Sequence, residues 1–375
     1  MIKIDRRLIK HFDYLTFSIV MLLSLIGIMT IYSATRPPVE TLNHPDFYLK
    51  QILWLVISLS ALVMVTLFDY QWFYRLSRYL YIVGLIMLIV VLIAGKTTMG
   101  AQRWIMLGPL TFQPSEFFRV VFIIAFSAYL TTLQEPLQDK TYIKSALLFA
   151  LFPLLLVFKQ PDLGTTILLF FIFVSLSLIK GINRKFIALA LVIAIISVPF
   201  LGQILWDRLK DYQKSRITAF ISPEEDVAGA GYHINQSKIT IGSGGLFGKG
   251  YLKGTQGPLR FLPEKHTDFI FAVYAEEWGF IGSVFLIGLY LLLLLRGLDT
   301  ALKAKDEFGR LVAAGITSMF FIYLTVNVGM TMGILPVVGV PLPFVSYGGT
   351  ALLSNFIAAG ILISIRTRRY ELFYP

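Results

Sequence analysis

"PEKHTDFIFAVYAEEWG", residues 263–279, sets an aspartate, Asp268, at the head of an apolar stretch that runs past Glu276 and Glu277 to Leu295. A run of that length is what a membrane-crossing helix needs, about 20 mostly apolar residues for about 30 Å of hydrocarbon. Ionisable groups at its mouth are costly there unless they are paired or put to work. Whether the run lies in lipid decides the fold, and composition answers. Of 375 residues, 56% are hydrophobic and 15% charged, with a mean hydropathy of +0.73. A water-soluble domain is about 45–50% apolar and about 25% charged. Both departures point to a membrane.

Ten candidate spans follow along the chain, roughly 13–34, 48–68, 77–95, 115–133, 143–158, 163–179, 186–205, 268–295, 309–334 and 348–365. The expected fold is an all-α polytopic membrane protein, one integral-membrane domain over residues 1–375. A long extracytoplasmic loop, 206–267, joins helices 7 and 8. Orientation comes from Lys and Arg. With the N-terminus inside, the cytoplasmic segments hold eighteen of them and the short outer loops five. That bias sets both termini in the cytoplasm and the long loop outside. It also accounts for the net charge of +11 without nucleic acid as a partner. The first run follows a basic N-terminus and ends near "YSA" (32–34), but it is longer than a 7–15-residue signal core and reads as a retained helix.

Several chemistries are excluded or weak. The chain has no cysteine, hence no disulfide, thiolate metal site or thiol nucleophile. Four histidines are scattered without zinc-type spacing. "GSGGLFGKG" (242–250) lacks the spacing of a phosphate-binding loop, because Ser243 stands where the first glycine is required and Gly250 follows Lys249. Its glycines read as tight turns over the membrane surface, and no organic cofactor is expected. "HINQSKITI" (233–241) reads as a short amphipathic element.

The stronger signal is charge at the outer membrane edge. Arg103, Glu116, Lys159, Asp162, Lys265 and Asp268 share a predicted depth, with Arg119 inside a span, which suggests one polar site near the outer leaflet. Each has a plainer reading. Glu116 and Arg119 are three apart and can pair on a helix. Asp162 can cap the helix after it, and Asp268 or Thr267 the next. Glu276 and Glu277 read as supporting or packing residues. The Gly- and Pro-rich stretch "NVGMTMGILPVVGVPLPFVSYGGTALLSN" (327–355) implies irregular backbone at membrane depth, tolerated only where protein buries it or a cavity is lined by it. Transporters use such breaks too.

"GAQRW" (100–104), "QPSE" (113–116), "KQPDLGT" (159–165), "GYHINQSKITIGSGGLFGKG" (231–250), "FLPEKHTDFIFAVYAEEWG" (261–279) and "GILPVVGVPLPFVSYGG" (333–349) stand in one order. In that order they resemble the SEDS proteins (shape, elongation, division and sporulation) over roughly residues 13–368. "GTQGPLRFLPEKHTDF" (254–269) is more similar to the elongation branch, RodA, than to the division branch, FtsW. The resemblance implies ten transmembrane helices and a glycosyltransferase that polymerises lipid II into peptidoglycan. It implies a class B penicillin-binding protein as partner, with other cell-elongation proteins, in the bacterial inner membrane. It makes Asp268 the catalytic carboxylate and assigns Arg103, Glu116 and Asp162 to an outer cavity. Arg119 stands where the family often has Lys, and Thr350 where Ser is usual. On this reading Asp268 is the general base, and Arg103, Arg119, Lys159 and Lys265, or a divalent cation such as magnesium or manganese, steady the leaving diphosphate. A lipid II flippase and a non-catalytic scaffold are the alternatives.

Overall fold

The computed structural model describes residues 11–36, 46–98, 101–107, 110–133, 139–160, 162–181, 230–255 and 264–369, with residues 214 and 218. Its helices are α1 (Tyr14–Thr35), α2 (Phe47–Leu67), α3 (Gln71–Ala94), α4 (Pro114–Leu130), α5 (Asp139–Ser145), α6 (Phe152–Lys159), α7 (Leu163–Ile179), α8 (Ala230–Ser243), α9 (Ile270–Leu302), α10 (Glu307–Thr331) and α11 (Gly349–Thr367). Six of these, α1, α2, α3, α9, α10 and α11, are long and apolar enough to cross a membrane, and residues 148–159 and 163–179 form shorter apolar helices. The expected seventh span, 186–205, lies outside the described residues, as does much of the expected loop 206–267.

Helix starts follow from local chemistry. Asp13, Asp162 and Asp306 cap α1, α7 and α10 by accepting the backbone N–H groups of Thr16, Thr165 and Gly309. Pro114 opens α4, where a missing N–H costs nothing. Pro153, the second residue of α6, follows a π-helical turn over 146–151, so the expected fifth span stays helical but changes its hydrogen-bond register.

Packing sorts the helices. α10 and α11 are mostly buried and form the centre, against α9, α4 and α2. α3 turns Ile82, Val83, Ile86, Val90 and Ile93 outward, and α2 does the same with Val56, Val63 and Met64. Such a belt of exposed large aliphatics has no place in water and suits lipid.

Ions gather at one end of the bundle. Arg296 of α9 donates to the buried Asp13 at 2.8 Å. Arg366 of α11 reaches Asp13 at 3.5 Å and Asp299 at 2.7 Å. Lys180 pairs with Glu307 at 2.5 Å. The first, ninth and last helices are thereby tied together.

α9 departs from expectation. Its 33 residues would reach about 50 Å, well beyond a bilayer core of about 30 Å. Gly279, with φ 67° and ψ −162°, breaks it. The loop after α8 fills the break. Phe280 and Ile281 donate their N–H groups to the carbonyls of Gly245 and Leu246 at 2.9 and 3.1 Å, and Lys249 and Gly250 donate to those of Glu276 and Glu277 at 3.0 and 2.9 Å. The contact needs glycine on both sides. A Cβ on Gly248 would lie 2.1 Å from the Glu277 carbonyl oxygen, and one on Gly279 would lie 2.3 Å from the Gly248 nitrogen. Glu276 and Glu277 are both bonded within this joint. Glu276 accepts from Lys249 Nζ (2.6 Å) and from Thr255 N and Oγ1 (2.9 Å each), and Glu277 accepts from Ser33 Oγ and Leu252 N.

Candidate active site

At the end opposite the ions, the starts of α4, α7, α9 and α11 surround a cavity of about 490 Å³. The segment before α4, expected only as a loop, is a three-stranded antiparallel sheet, β1 (Lys96–Thr98), β2 (Ala101–Leu107) and β3 (Leu110–Phe112), with β2 in the middle. It brings Arg103, Trp104 and Thr111 to the cavity wall.

Five of the seven residues expected at the site line this cavity: Arg103, Glu116, Arg119, Asp162 and Asp268. Lys159 and Lys265 do not. Lys159 is exposed on the last turn of α6, and Lys265 is half-buried in the turn before α9.

Glu116 and Arg119 form an ion pair on the first turns of α4, 5% and 1% exposed. The Arg119 guanidinium also lies 4.6 Å from the centre of the Tyr323 ring, a cation–π contact from α10. A pair this buried is structural for α4 and also presents charge to the cavity. Asp162 is committed to its neighbours. It accepts from Thr165 N (3.1 Å) and Oγ1 (2.9 Å), from Gln113 Nε2 (3.2 Å) and from Ser115 Oγ (3.4 Å), and lies 3.8 Å from Arg103 NH1. Arg103 Nε donates to the Gln160 carbonyl at 3.2 Å.

Asp268 is not the cap of its helix. Phe269 holds the N-cap position of α9 without a side-chain cap. The backbone that carries Asp268 is held by three successive carbonyls. His266 O accepts from Tyr347 N (2.8 Å), Thr267 O from Ser346 Oγ (2.6 Å), and Asp268 O from Asn327 Nδ2 (3.0 Å). Asn327, 0% exposed, spends its second N–H on Val340 O at 2.7 Å, and Val340 is itself a wall of the cavity. Gln51 of α2 grips the same loop, donating to Ser346 O and accepting from Gly348 N, both at 3.3 Å. The irregular stretch is therefore largely buried from Val337 to Ser346 and lines the cavity at residues 339–341, 347 and 348, as its glycines and prolines suggested. Thr350 keeps the hydroxyl expected of the residue it replaces and donates to Thr111 O at 3.0 Å.

Asn327, Ser346 and Gln51 were missed from sequence. The available signal was an amide or hydroxyl inside an apolar run, where a polar group must find an internal partner. Among the described residues no three His, Cys, Asp or Glu side chains come together as a metal site.

The fold and site define a multi-pass membrane protein with a chamber of buried acids and guanidinium groups at one end. The chain belongs to the FtsW, RodA and SpoVE family of cell cycle proteins, whose family model matches residues 13–371. It is 41% identical over 360 residues to the peptidoglycan glycosyltransferase MrdB of Escherichia coli K12, covering 96% of this chain and 94% of that protein. It is 33% identical over 431 residues to the peptidoglycan glycosyltransferase RodA of Treponema pallidum, covering 96% and 99%. Among solved structures, one of a peptidoglycan synthase complex that coordinates polymerization and crosslinking superposes with a TM-score of 0.82 at 28% identity, covering 96% of this chain and 99% of that one. The rod shape determining protein RodA of Thermus thermophilus superposes with a TM-score of 0.71 at 26% identity, covering 96% and 98%.

Proposed function

We propose that the protein is a peptidoglycan glycosyltransferase of the elongation type, which polymerises lipid II into glycan strands and releases undecaprenyl pyrophosphate. The observation that carries the reading is one cavity lined together by a carboxylate, Asp268, and two guanidinium groups, Arg103 and Arg119. Activity fits the names of the curated relatives.

The reaction joins a sugar hydroxyl to an anomeric carbon that carries a lipid diphosphate. Asp268 takes the proton of the acceptor hydroxyl, the 4-hydroxyl of GlcNAc on the incoming lipid II, as its oxygen attacks. The new glycosidic bond forms as the bond to the diphosphate oxygen breaks, and the leaving charge goes to Arg103 and Arg119. One displacement inverts the anomeric centre, from an α-linked donor to a β-linked product. Of the acids lining the cavity, Glu116 is paired with Arg119 and Asp162 is held by four donor groups, which leaves Asp268 and Glu264 nearest to any divalent cation. Magnesium or manganese would have to enter with the diphosphate, so no step is assigned to it.

The protein resides in the bacterial inner membrane, with both termini and the ionic end cytoplasmic and the cavity facing outward. Substrate lipids then stay in the bilayer while their sugars reach the cavity. The structural likeness to a peptidoglycan synthase complex supports a class B penicillin-binding protein as the crosslinking partner.

The test is glycan synthesis from lipid II in detergent, with and without the co-expressed transpeptidase, comparing wild type with Asp268→Asn at equal folding. Long glycan from wild type and none from the variant is the expected result. Glycan from neither, with partner and divalent cation supplied, returns weight to a flippase. Equal glycan from both keeps the enzyme and removes Asp268 as base.

A further inference from the structure

The loop that splints the break in α9 carries an apolar tip outside the bundle. Leu246 is 63% and Phe247 80% exposed, while the residues around them in the chain are bonded down to α9. The pairing fixes the level of the tip. Gly245 and Leu246 accept from Phe280 and Ile281, the first two residues beyond the break, which are themselves 62% and 54% exposed. From there the apolar part of α9 runs to Leu295, about 24 Å at 1.5 Å per residue, with Arg296 and Asp299 at the ionic end beyond it, so the segment fits inside one crossing of a bilayer core of about 30 Å. The crossing segment is sided. Val284, Phe285, Leu291, Leu292, Leu295 and Leu298 face outward, while Leu286, Leu289, Tyr290, Leu293 and Leu294 are buried. Phe280 and Ile281 therefore stand within the hydrocarbon near its outer edge, and the tip stands beside them.

A second helix gives the same level independently. Tyr251 reaches the Met29 carbonyl and Ser33 binds Glu277, both near the end of α1 remote from the ionic cluster. The surroundings have the chemistry of a membrane interface. Trp278 stacks with Tyr274 at 6.1 Å between ring centres and lies 6.4 Å from Tyr251, with Lys249 alongside. Aromatic rings with one polar edge and long basic side chains concentrate where headgroups meet acyl chains.

We propose that Leu246 and Phe247 are seated in the outer leaflet, making the glycine-rich loop a lipid-inserted wedge at the break in α9. Its occupant is phospholipid acyl chain and not protein. The loop can enter because its nearest backbone groups are already bonded to α9, so it carries few unpaired polar groups into the boundary.

The chain has no cysteine, so Phe247→Cys gives a single labelling site. The labelled protein, carrying an environment-sensitive fluorophore, is reconstituted in phosphatidylglycerol–phosphatidylethanolamine vesicles. The expected result is blue-shifted emission, strong quenching by lipids bearing a nitroxide near the headgroup end of the acyl chain, and at least a fivefold lower iodide quenching constant than that of the same fluorophore on free N-acetylcysteine. Iodide quenching equal to the free fluorophore places the tip in water and overturns the proposal. Protection from both quenchers means that protein covers the tip and also overturns it. Leu246→Cys repeats the measurement should the label at residue 247 prevent folding.

Discussion

Replacing Asn327 with leucine tests how the proposed base is held. The side chain is fully buried and donates to two carbonyls, Asp268 O at 3.0 Å and Val340 O at 2.7 Å. Leucine has a similar size and no donors, so packing is largely kept while both carbonyls are stranded. Each stranded buried acceptor costs about 1–3 kcal/mol in a protein interior, and polar contacts within membrane bundles measure nearer to about 0.6 kcal/mol. This contact lies at the cavity end of the bundle, between those limits, so Asn327→Leu should lose about 2–4 kcal/mol of stability. The effect on rate should be larger than stability alone accounts for. A displacement of a reacting group by about 1 Å costs on the order of 100-fold. Releasing the Asp268 carbonyl frees the residue that carries the proposed base. The assay is initial glycan synthesis from lipid II, measured at a temperature where wild type and variant are both folded by thermal unfolding in detergent. The expected outcome is a fall in kcat of tenfold or more with KM within about twofold. Full turnover from the folded variant would refute the reasoning, and so would a rise in KM with kcat unchanged, which would assign Asn327 to substrate binding. Ser346→Ala should lower kcat in the same way, and Ser346→Thr, which keeps the hydroxyl donated to Thr267 O, should restore it.

Arg119→Met leaves the Glu116 carboxylate buried without its partner and should cost about 3–5 kcal/mol, whereas Glu116→Gln combined with Arg119→Met should cost clearly less; equal losses in thermal unfolding would show that the pair is not the unit of stability. Burial lowers the pKa of His266 from its ordinary value, opposed by Glu264 and reinforced by Lys265. The unfolded chain then binds the proton first, so this contribution is full above about pH 6.5 and is lost as pH falls through the lowered folded value. His266→Phe keeps a ring against Phe47 and Tyr347 and should show a smaller loss of melting temperature between pH 7.5 and 5.5 than wild type; an identical loss would remove His266 as its source.

How much of this was legible depended on whether the cause was local. Apolar runs announce helices, and α1, α2, α3, α10 and α11 begin or end within a few residues of expectation, apart from the start of α3. The caps at Asp13, Asp162 and Asp306 act within three residues of themselves. The break at Gly279 is different. The run continues in composition from Phe269 to Leu295, and what breaks the helix is a loop about thirty residues earlier whose backbone bonds across it. The sheet at 96–112 is likewise held by pairing that no alternation in "KTTMGAQRWIMLGPLTF" revealed. Five of the expected residues line one cavity, and they were legible because charge at membrane depth is rare enough to be informative. Lys159 and Lys265 were grouped with them by depth alone, which hydropathy gives, and they do not line the cavity. Asn327 shows the remaining limit: an amide in an apolar helix signals that a partner exists, and only the fold names Asp268 and Val340.

The ionic cluster at the other end has a consequence for biosynthesis. Asp13 is met early as the chain emerges, yet one of its two cations is Arg366, in the last turn of α11. Until that turn is made, Asp13 holds Arg296 alone, and Asp299 lacks its contact with Arg366. A chain stalled or clipped before residue 366 therefore carries its defect at the start of its first helix. The cluster therefore closes late: the start of α1 is fully held only once residue 366 has taken its place beside it.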